Sequence, residues 1–305
     1  MGERSGDGIA VGTAAIAAAC LFWAFNYIPT KVAVGEIDPL ALLLVRLVFT
    51  VPLCLLVLLV RRESPRSLLP YWRQGLPLAL LAVTGDMLLF QFALKYTTPA
   101  HAALVYVLIP IFVAIMAFLL IGERIGLSRI AGIGIAFVGA VILVSEDGIT
   151  FESRYLLGDL LMLGAAFCWA LYVVLSKPLV ERIGATRTIT LVLALGLPLA
   201  LPLTIAPAIA QPWHRVSPLA FASVAYIVLG GTLAGYICYQ FALKKLPASF
   251  VAMSAYAMPV LVAVFSVLLL RETLSLAFFG SAALIFAGLL IARARRGDSR
   301  ASRGG

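Results

Sequence analysis

The side chains that could contact a substrate are polar and aromatic residues that interrupt long apolar stretches. Trp23, Asn26 and Tyr27 recur at helical spacing in the first stretch, and Trp169 and Tyr172 take equivalent positions in a later one. Aromatic faces with a few hydroxyl and amide groups suit the binding of a small organic molecule in a cavity. The same residue types also form belts at membrane interfaces, so these residues are either two facing cavity walls or interfacial anchors.

One carboxylate, Asp86, lies within the third apolar stretch together with Phe90. At the corresponding place in a later stretch the chain has Gly235, and Tyr239 follows one helical turn on. Because an ionisable group is costly inside a membrane, Asp86 is a candidate contact for a substrate ammonium group or a candidate proton carrier. The alternative is a carboxylate that is hydrated, or neutralised by an arginine of a neighbouring loop.

Two prolines, Pro110 and Pro259, fall in the middle of apolar stretches. A proline removes a backbone donor and kinks or loosens a helix, so carbonyl groups near the membrane midplane could face a substrate. Tyr106 stands near the first proline, and Ser254 and Tyr256 stand near the second. The sequence therefore predicts that these three residues line the cavity.

Several other polar residues are better explained by the scaffold. Gln91 and Gln240 occur in equivalent stretches, which favours a structural hydrogen bond over a substrate contact. Glu123 and Glu272 each stand at a tight turn shortly before a serine that can cap the next helix, which favours a role in turn structure. Arg46 lies inside the second stretch, and we predict a mainly structural role in which its charge is paired or reaches a polar cavity.

Two other classes of protein fit the sequence poorly. A membrane-embedded enzyme would need a clustered acid, base, nucleophile or metal site, whereas the two histidines, His101 and His214, are far apart and no cysteine or histidine spacing matches a metal site. A regulatory subunit would not require polar residues in the middle of its membrane spans. We therefore expect no catalytic residues, no metal and no cofactor.

The chain is one unit used twice. Residues 91–95 return in the same order as residues 240–244, an offset of 149, and the match extends through about fifty residues beyond them. Nearer the start of each half, Trp23 stands eight residues before Lys31, and Trp169 stands eight before Lys177, at an offset of 146. The predicted repeats are residues 1–147 and residues 148–305, the second ending in a basic tail.

Composition identifies a membrane protein. Hydrophobic residues make up 63% of the chain and charged residues 12%, with a mean hydropathy of +1.07, which leaves too little polar surface for a soluble particle. Backbone groups in lipid must be satisfied internally, so the spanning form is helical. The sequence predicts an all-α integral membrane protein with ten transmembrane helices at 9–30, 39–60, 75–94, 100–121, 128–145, 158–176, 188–209, 218–243, 248–270 and 275–292.

Lysine and arginine placement predicts the orientation. With the amino terminus in the cytoplasm, seventeen of the 23 basic residues fall in inner segments and five in outer segments, while Arg46 lies within a helix. Both termini are then cytoplasmic. Because each copy has five helices, the second enters the membrane from the opposite side, which makes an inverted repeat suited to alternating access. The basic residues form no long basic face, so we expect the lipid bilayer and a small substrate as partners, and no nucleic acid.

The ordered, doubled pattern resembles the EamA-type members of the drug/metabolite transporter superfamily. The matching residues are 23–31, Arg46, Pro110, 122–124, Gly132, Gly134 and Gly139 in the first half, and Pro259, 271–272, Ser275 and Gly288 in the second. The resemblance covers nearly the whole chain. It implies ten helices from a duplicated five-helix unit, a central cavity between the halves, and small metabolites, often exported amino acids, as substrates. The aromatic amino-acid exporters of the YddG type fit the size.

Taken together, the sequence predicts a multi-pass transporter of the cell inner membrane that exports small metabolites by alternating access, with neutral and aromatic amino acids as the favoured substrates. The alternative within the same fold is an exchanger of phosphorylated metabolites or nucleotide sugars. Such substrates would require a cluster of lysine and arginine at the midplane, which the predicted cavity lacks. We expect a monomer or a weak homo-oligomer.

Overall fold

The computed structural model describes residues 6–97, 102, 105–123, 125–145, 153–270 and 276–294, and the regular secondary structure of these residues is all helical. Five helices form the first half. They are α1 (Gly6–Glu36), α2 (Pro39–Val60), α3 (Trp72–Ala79, Leu80–Met87 and Leu88–Tyr96 in succession), α4 (Ile109–Ile121) and α5 (Leu127–Ser145). A 3-10 helix, Pro65–Tyr71, leads into α3.

The second half repeats this order. Its helices are α6 (Ser153–Ile183), α7 (Ala185–Ala210), α8 (Pro218–Tyr226, Ile227–Ala234 and Gly235–Lys245), α9 (Ala248–Ala252, Met253–Tyr256 and Ala257–Leu270) and α10 (Leu276–Ala294). Six of the ten are long and apolar enough to cross a membrane, and the other four are shorter apolar helices. Each of the ten predicted segments overlaps one of the helices of the described residues.

Local sequence explains several helix ends. Asp38 caps α2 by accepting a hydrogen bond from the backbone N–H of Leu40 at 2.9 Å, and Pro39 follows at the first helical position, where its missing N–H costs nothing. Ser217 caps α8 in the same way, before Pro218. Gly122 ends α4 with a φ of 64°, a left-handed conformation that glycine adopts without strain.

Two helices run past their predicted ends. The sequence predicts that α1 ends at residue 30 and α6 at residue 176, just before Lys31 and Lys177, but α1 continues to Glu36 and α6 to Ile183. Each lysine stays helical because its ammonium group binds backbone carbonyls of a neighbouring helix. The charged residues Lys31 and Lys177 therefore do not mark the ends of α1 and α6.

These two lysines display the internal symmetry. The Nζ atom of Lys31 lies 2.6 Å and 2.9 Å from the carbonyl oxygens of Leu94 and Thr97, at the end of α3. The Nζ atom of Lys177 lies 3.0 Å and 2.7 Å from the carbonyl oxygens of Leu243 and Leu246, at the end of α8. The two contacts are equivalent and lie at opposite ends of the bundle. The two repeats are therefore inverted.

Helix packing follows the same symmetry. The pairs α5 with α10 and α2 with α7 join equivalent helices, while α1 packs against α8 as α6 packs against α3. Gly132 and Gly288 allow the closest approach, since a methyl group added at Gly132 would lie 2.5 Å from the carbonyl oxygen of Gly288. Small residues let helix backbones meet in lipid, where apolar burial gives little drive for association.

Four helices near the centre of the bundle depart from α-helical geometry. Residues Leu80–Met87 of α3 and Ile227–Ala234 of α8 are π-helical, at equivalent positions in the two repeats. In α9 the segment Met253–Tyr256 is 3-10, and in α4 residues 107–108 form a turn before the helix resumes at Ile109. π-helical segments are frequent at functional sites. The sequence pattern predicted breaks near the prolines but not the π-helical segments.

Candidate substrate cavity

A cavity with a free volume of about 90 Å³ lies at the interface of the two repeats. Its walls come from α1, α2, α3 and α4 of the first repeat and from α6, α8 and α9 of the second. Of the eleven residues predicted to line a cavity, nine lie around it: Trp23, Asn26, Tyr27, Asp86, Phe90, Tyr106, Trp169, Tyr239 and Ser254. Helical spacing, proximity to prolines and unmatched polar residues together predicted most of this wall, although its role in binding stays a prediction.

Two equivalent tryptophans meet at the centre of this wall. The ring centroids of Trp23 and Trp169 are 5.3 Å apart with the rings nearly perpendicular, an arrangement that aromatic quadrupoles favour. Tyr236 and Tyr239 of α8 lie within 5.5 Å of both indole rings. The Nε1 atom of Trp23 donates to the carbonyl oxygen of Gly231 at 2.8 Å. The tryptophans therefore lie inside the bundle and are not interfacial anchors.

A second aromatic row extends from α1 to α4. Tyr27 packs edge-on against Phe90 at 5.3 Å, and Phe90 packs against Tyr106 at 5.7 Å. The hydroxyl group of Tyr106 then donates to Asp86. This row places apolar ring surface beside the carboxylate.

Asp86 is held by hydroxyl groups from both repeats. The Oη atom of Tyr106 in the first repeat lies 2.8 Å from its Oδ1 atom, and the Oη atom of Tyr236 in the second lies 3.4 Å from its Oδ2 atom. The side chain is buried, with 7% exposed. The arginine that interacts with it electrostatically is Arg46, a residue of the membrane span α2.

Arg46 also lines the cavity, although we predicted a mainly structural role for it. Its Nε atom donates to the Oγ1 atom of Thr232 at 2.6 Å, and Thr232 in turn donates to the carbonyl oxygen of Ile227. The sequence predicted that the charge of Arg46 is paired or reaches a polar cavity, and the position of Arg46 in the cavity wall agrees with the second possibility. No sequence pattern indicates that Arg46 and Asp86 line the same cavity.

Backbone irregularities shape the walls. Asp86 and Met87 lie in the π-helical segment of α3, and Thr232, which holds Arg46, lies in that of α8. Pro110 stands in the first turn of the resumed α4 and not within a continuous kinked helix. Pro110 and Pro259 have no backbone N–H, so neither can donate a helical hydrogen bond to the carbonyl group four residues earlier. These carbonyl groups belong to Tyr106 and Ala255, and both residues line the cavity.

Two predicted lining residues lie behind the wall. Tyr172 is fully buried, packs against Trp169 at 5.2 Å and accepts a hydrogen bond from Gln240. Tyr256 is fully buried in a separate apolar cluster with Ile133 of α5 and Ile285 of α10. In the 3-10 segment of α9 it is Ser254 and Ala255 that meet the cavity, so Tyr256 is turned toward α5 and α10.

Sequence reasoning missed several lining residues. Tyr236 is one helical turn before Tyr239 on α8, so the spacing that identified Tyr239 could have found it. Met87, Ile109, Ala252 and Met258 also line the cavity. Apolar residues of these types occur throughout the spans, and no sequence signal separates them from the core.

The two equivalent glutamines differ in their contacts. Gln240 donates a hydrogen bond to Tyr172, a contact of the kind predicted for it. Gln91 is fully buried, and within the described part of the chain neither its Nε2 atom nor its Oε1 atom has a hydrogen-bond partner. The Oδ1 atom of Asn26 and the Oη atom of Tyr27 are unpartnered in the same sense.

Glu123 acts at longer range than predicted. Its carboxylate accepts hydrogen bonds from the backbone N–H groups of Ala248 at 3.0 Å and Ser249 at 3.4 Å, at the start of α9, and pairs with Arg129 at 3.0 Å. It therefore caps a helix of the other repeat and does not only shape its own turn. Glu272, His101 and residues 146–152 lie outside the described residues.

Among the described residues, no group of three histidine, cysteine, aspartate or glutamate side chains could hold a metal ion. The four cysteines carry free thiols, and Cys20 and Cys54 are buried. The cavity wall offers aromatic faces, hydroxyl groups, one guanidinium group and one carboxyl group.

Comparisons with known proteins agree with this architecture. The sequence model of the EamA-like transporter family matches residues 10–145 and again residues 156–294. An uncharacterized transporter of Archaeoglobus fulgidus is 28% identical over 261 residues, which are 84% of this chain and 88% of that protein. A probable amino-acid metabolite efflux pump of Salmonella typhimurium is 26% identical over 277 residues, 88% of this chain and 90% of that protein.

A solved crystal structure shares the fold. It superposes with a TM-score of 0.75 at 23% identity and covers 94% of this chain and 96% of its own. At that identity the likeness concerns the fold alone. Because one family model accounts for nearly the whole chain in two successive matches, the chain belongs to the EamA-like transporter family of the drug/metabolite transporter superfamily, and it is a multi-pass membrane transporter, not an enzyme.

Proposed function

We propose that this protein exports small neutral amino acids, above all those with apolar or aromatic side chains, across the cell inner membrane. The observation that carries the proposal is the aromatic cavity between the inverted repeats. Its wall includes one basic side chain, Arg46, and one acidic side chain, Asp86. A neutral amino acid offers the matching features, a carboxylate, an ammonium group and an apolar side chain. The name of the Salmonella typhimurium relative, an amino-acid metabolite efflux pump, supports the same class.

The size of the cavity supports an alternating-access mechanism. Ligand pockets usually measure about 300–1,000 Å³, whereas this cavity has a free volume of about 90 Å³, enough for only a few water molecules. The walls must therefore separate when a substrate binds. Exchanging the conformations of two inverted repeats would open the same site first to one side of the membrane and then to the other.

The test is uptake into proteoliposomes of labelled phenylalanine, threonine and a sugar phosphate. We expect the two amino acids to move and the sugar phosphate not to move, because a phosphate group would require more than one cationic partner. Trp169→Ala should reduce amino-acid uptake, since it removes an aromatic wall. The matched control is Trp72→Ala, because Trp72 is 49% exposed and far along α3 from the cavity. Transport of the sugar phosphate alone would overturn the proposal.

The orientation is also proposed from the sequence. We place both termini in the cytoplasm and the segment between the repeats, after residue 147, on the outside, with the protein a monomer or a weak homo-oligomer. A version without the four native cysteines can carry Asp147→Cys or, as the matched inner control, Ser64→Cys. An impermeant thiol reagent should label the first in intact cells and the second only after the cells are opened. The reverse pattern would invert the topology.

A further inference from the structure

The cavity contains two opposite charges that do not pair with each other. Arg46 and Asp86 are buried, with 5% and 7% exposed, and both line the cavity. They are close enough to interact electrostatically. Within the part of the chain that the structure describes, neither has an ion-pair partner within 4.0 Å. Each charge is instead held by hydroxyl groups.

The duplicated scaffold does not need these charges. At the 149-residue offset Gly235 stands opposite Asp86, and any offset from 146 to 149 places an apolar residue of 192–195 opposite Arg46. Ionisable residues inside membrane spans are costly and mark binding sites or ion pathways. The second repeat forms equivalent helices without them, so their role lies in the cavity and not in the fold of a repeat.

Arg46 presents unused donors. A guanidinium group has five N–H donors in a planar fork, and among the described residues only the Nε donor has a partner, Thr232. Thr232 cannot turn freely, because its own hydroxyl donates to the carbonyl oxygen of Ile227 at 2.7 Å. The Nη groups of Arg46 thus remain for a ligand. A carboxylate fits this fork through two parallel hydrogen bonds.

Asp86 presents unused acceptor positions. A carboxylate offers about four lone-pair sites, and the hydroxyl groups of Tyr106 and Tyr236 occupy two of them. Neither tyrosine supplies a positive charge. A substrate ammonium group, with three donors and a full charge, would complete this site.

Two residues of the cavity wall carry further polar atoms without partners. The Oδ1 atom of Asn26 and the Oη atom of Tyr27 are buried and have no hydrogen-bond partner among the described residues. Both side chains belong to α1 and line the cavity, and Asn26 is fixed by a hydrogen bond from its Nδ2 atom to Thr30 at 3.2 Å. Buried polar atoms without partners are costly, so a polar ligand would stabilise them.

We propose that Arg46 binds the carboxylate and Asp86 the ammonium group of one zwitterionic substrate, so that the site selects molecules with both charges. This inference rests on the proposed function and names which end of the amino acid each residue holds. The side chain of the substrate then lies against the aromatic wall. A molecule that lacks one charged group leaves the opposite charge of the protein buried and unpaired, and we expect it to bind at least roughly 100-fold more weakly.

The experiment compares three ligands that share one phenyl ring. Phenylalanine has both charges, 2-phenylethylamine lacks the carboxylate, and 3-phenylpropionate lacks the ammonium group. Each unlabelled compound competes with labelled phenylalanine for binding to the purified full-length protein in detergent. We expect phenylalanine to compete at least about 100-fold better than either analogue.

Two substitutions should relax this preference in opposite ways. Arg46→Gln should remove the advantage of phenylalanine over 2-phenylethylamine and keep its advantage over 3-phenylpropionate. Asp86→Asn should remove the advantage of phenylalanine over 3-phenylpropionate and keep its advantage over 2-phenylethylamine. Because each result is a ratio between ligands on the same variant, a lower yield of folded protein does not affect it. Arg46→Lys and Asp86→Glu keep the charges and should keep the preference for the zwitterion, even if their overall affinity falls.

Matched controls change the same side chains elsewhere. Arg215→Gln removes an exposed arginine, and Asp38→Asn keeps the acceptor that caps α2; both should leave the ligand ratios unchanged. The proposal is overturned if the parent binds all three ligands alike, or if both site variants shift both ratios equally. Neither result touches the proposed function, which fails instead if the parent protein transports no amino acid in proteoliposomes.

Discussion

The two repeats have the same helices but not the same polar residues. Lys31 and Lys177 bind equivalent helix ends, the π-helical segments of α3 and α8 coincide, and Trp23 meets Trp169 at the centre. Arg46 and Asp86, by contrast, occur only in the first repeat. The comparison teaches that repeated features build the inverted scaffold, whereas unmatched polar residues mark where the molecule meets something asymmetric, such as a substrate.

Identity between the repeats does not guarantee identical contacts. Gln240 bonds Tyr172, whereas Gln91, its equivalent, has no partner among the described residues. At the 146-residue offset Tyr172 corresponds to Asn26, whose amide bonds Thr30 instead. A side chain can therefore recur in both repeats and be satisfied in only one.

The largest expected effect concerns the contact between α5 and α10. A methyl group at Gly132 or Gly288 would lie 2.5 Å or 2.6 Å from a backbone oxygen of the other helix, which cannot turn aside. We expect Gly132→Ala and Gly288→Ala to lower the free energy of unfolding by about 3 kcal/mol each. The measurement is thermal unfolding in detergent by size-exclusion recovery.

The matched control for that pair is Gly134→Ala. Gly134 lies on α5 with nothing within 4 Å of an added methyl group, so alanine should be neutral or stabilise the helix. If Gly132→Ala unfolds at the same temperature as Gly134→Ala, the two repeats do not meet as closely as described.

The next effect tests the symmetry of the helix ends. Lys31→Met and Lys177→Met each remove two charge-assisted hydrogen bonds to backbone carbonyls, and we expect each to cost about 2 kcal/mol of unfolding free energy. Lys177 also pairs with Glu181 at 3.2 Å, but this pair is partly exposed and contributes little. Glu181→Gln, measured in the same thermal assay, gives the part of the Lys177→Met loss that comes from this ion pair. Losses that differ greatly between the two lysines would argue against an equivalent role.

A smaller effect should separate the glutamines. Gln240→Met removes a buried hydrogen bond to Tyr172 and should lower the free energy of unfolding by about 1 kcal/mol. Gln91→Met removes a buried amide without a partner and should stabilise the protein by a similar amount. Chemical denaturation of both variants beside the parent measures whether each substitution lowers or raises the free energy of unfolding. A loss of stability in Gln91→Met would mean that this amide has a partner in the folded protein.

The smallest effect concerns the glutamates. Glu123→Gln keeps an acceptor for the backbone of α9 but loses the charge at its amino-terminal end and the ion pair with Arg129, for an expected loss of about 0.5–1 kcal/mol. Glu272 corresponds to Glu123 at the 149-residue offset, so symmetry predicts the same loss for Glu272→Gln. Thermal unfolding at low and high salt measures both. If Glu272→Gln has no effect while Glu123→Gln has one, the cap exists in only one repeat.

The order of residues alone was enough to determine the class, the duplication and most of one cavity surface. Long apolar runs leave helices as the spanning form, an odd number of helices per copy inverts the second copy, and helical spacing placed Trp23, Asn26 and Tyr27 on one face. These conclusions depend only on composition and local periodicity, and the structure and the family comparison agree with the fold.

Tertiary structure decided what each face meets. Periodicity gives the face of a helix but not its neighbour, so it could not show that Arg46 shares a cavity with Asp86, or that Glu123 caps a helix 125 residues away. Tyr256 was placed in the cavity by proximity to a proline, but the 3-10 turn of α9 directs it to another cluster. A π-helical or 3-10 segment rotates every side chain that follows it, and nothing in the local pattern announces that rotation.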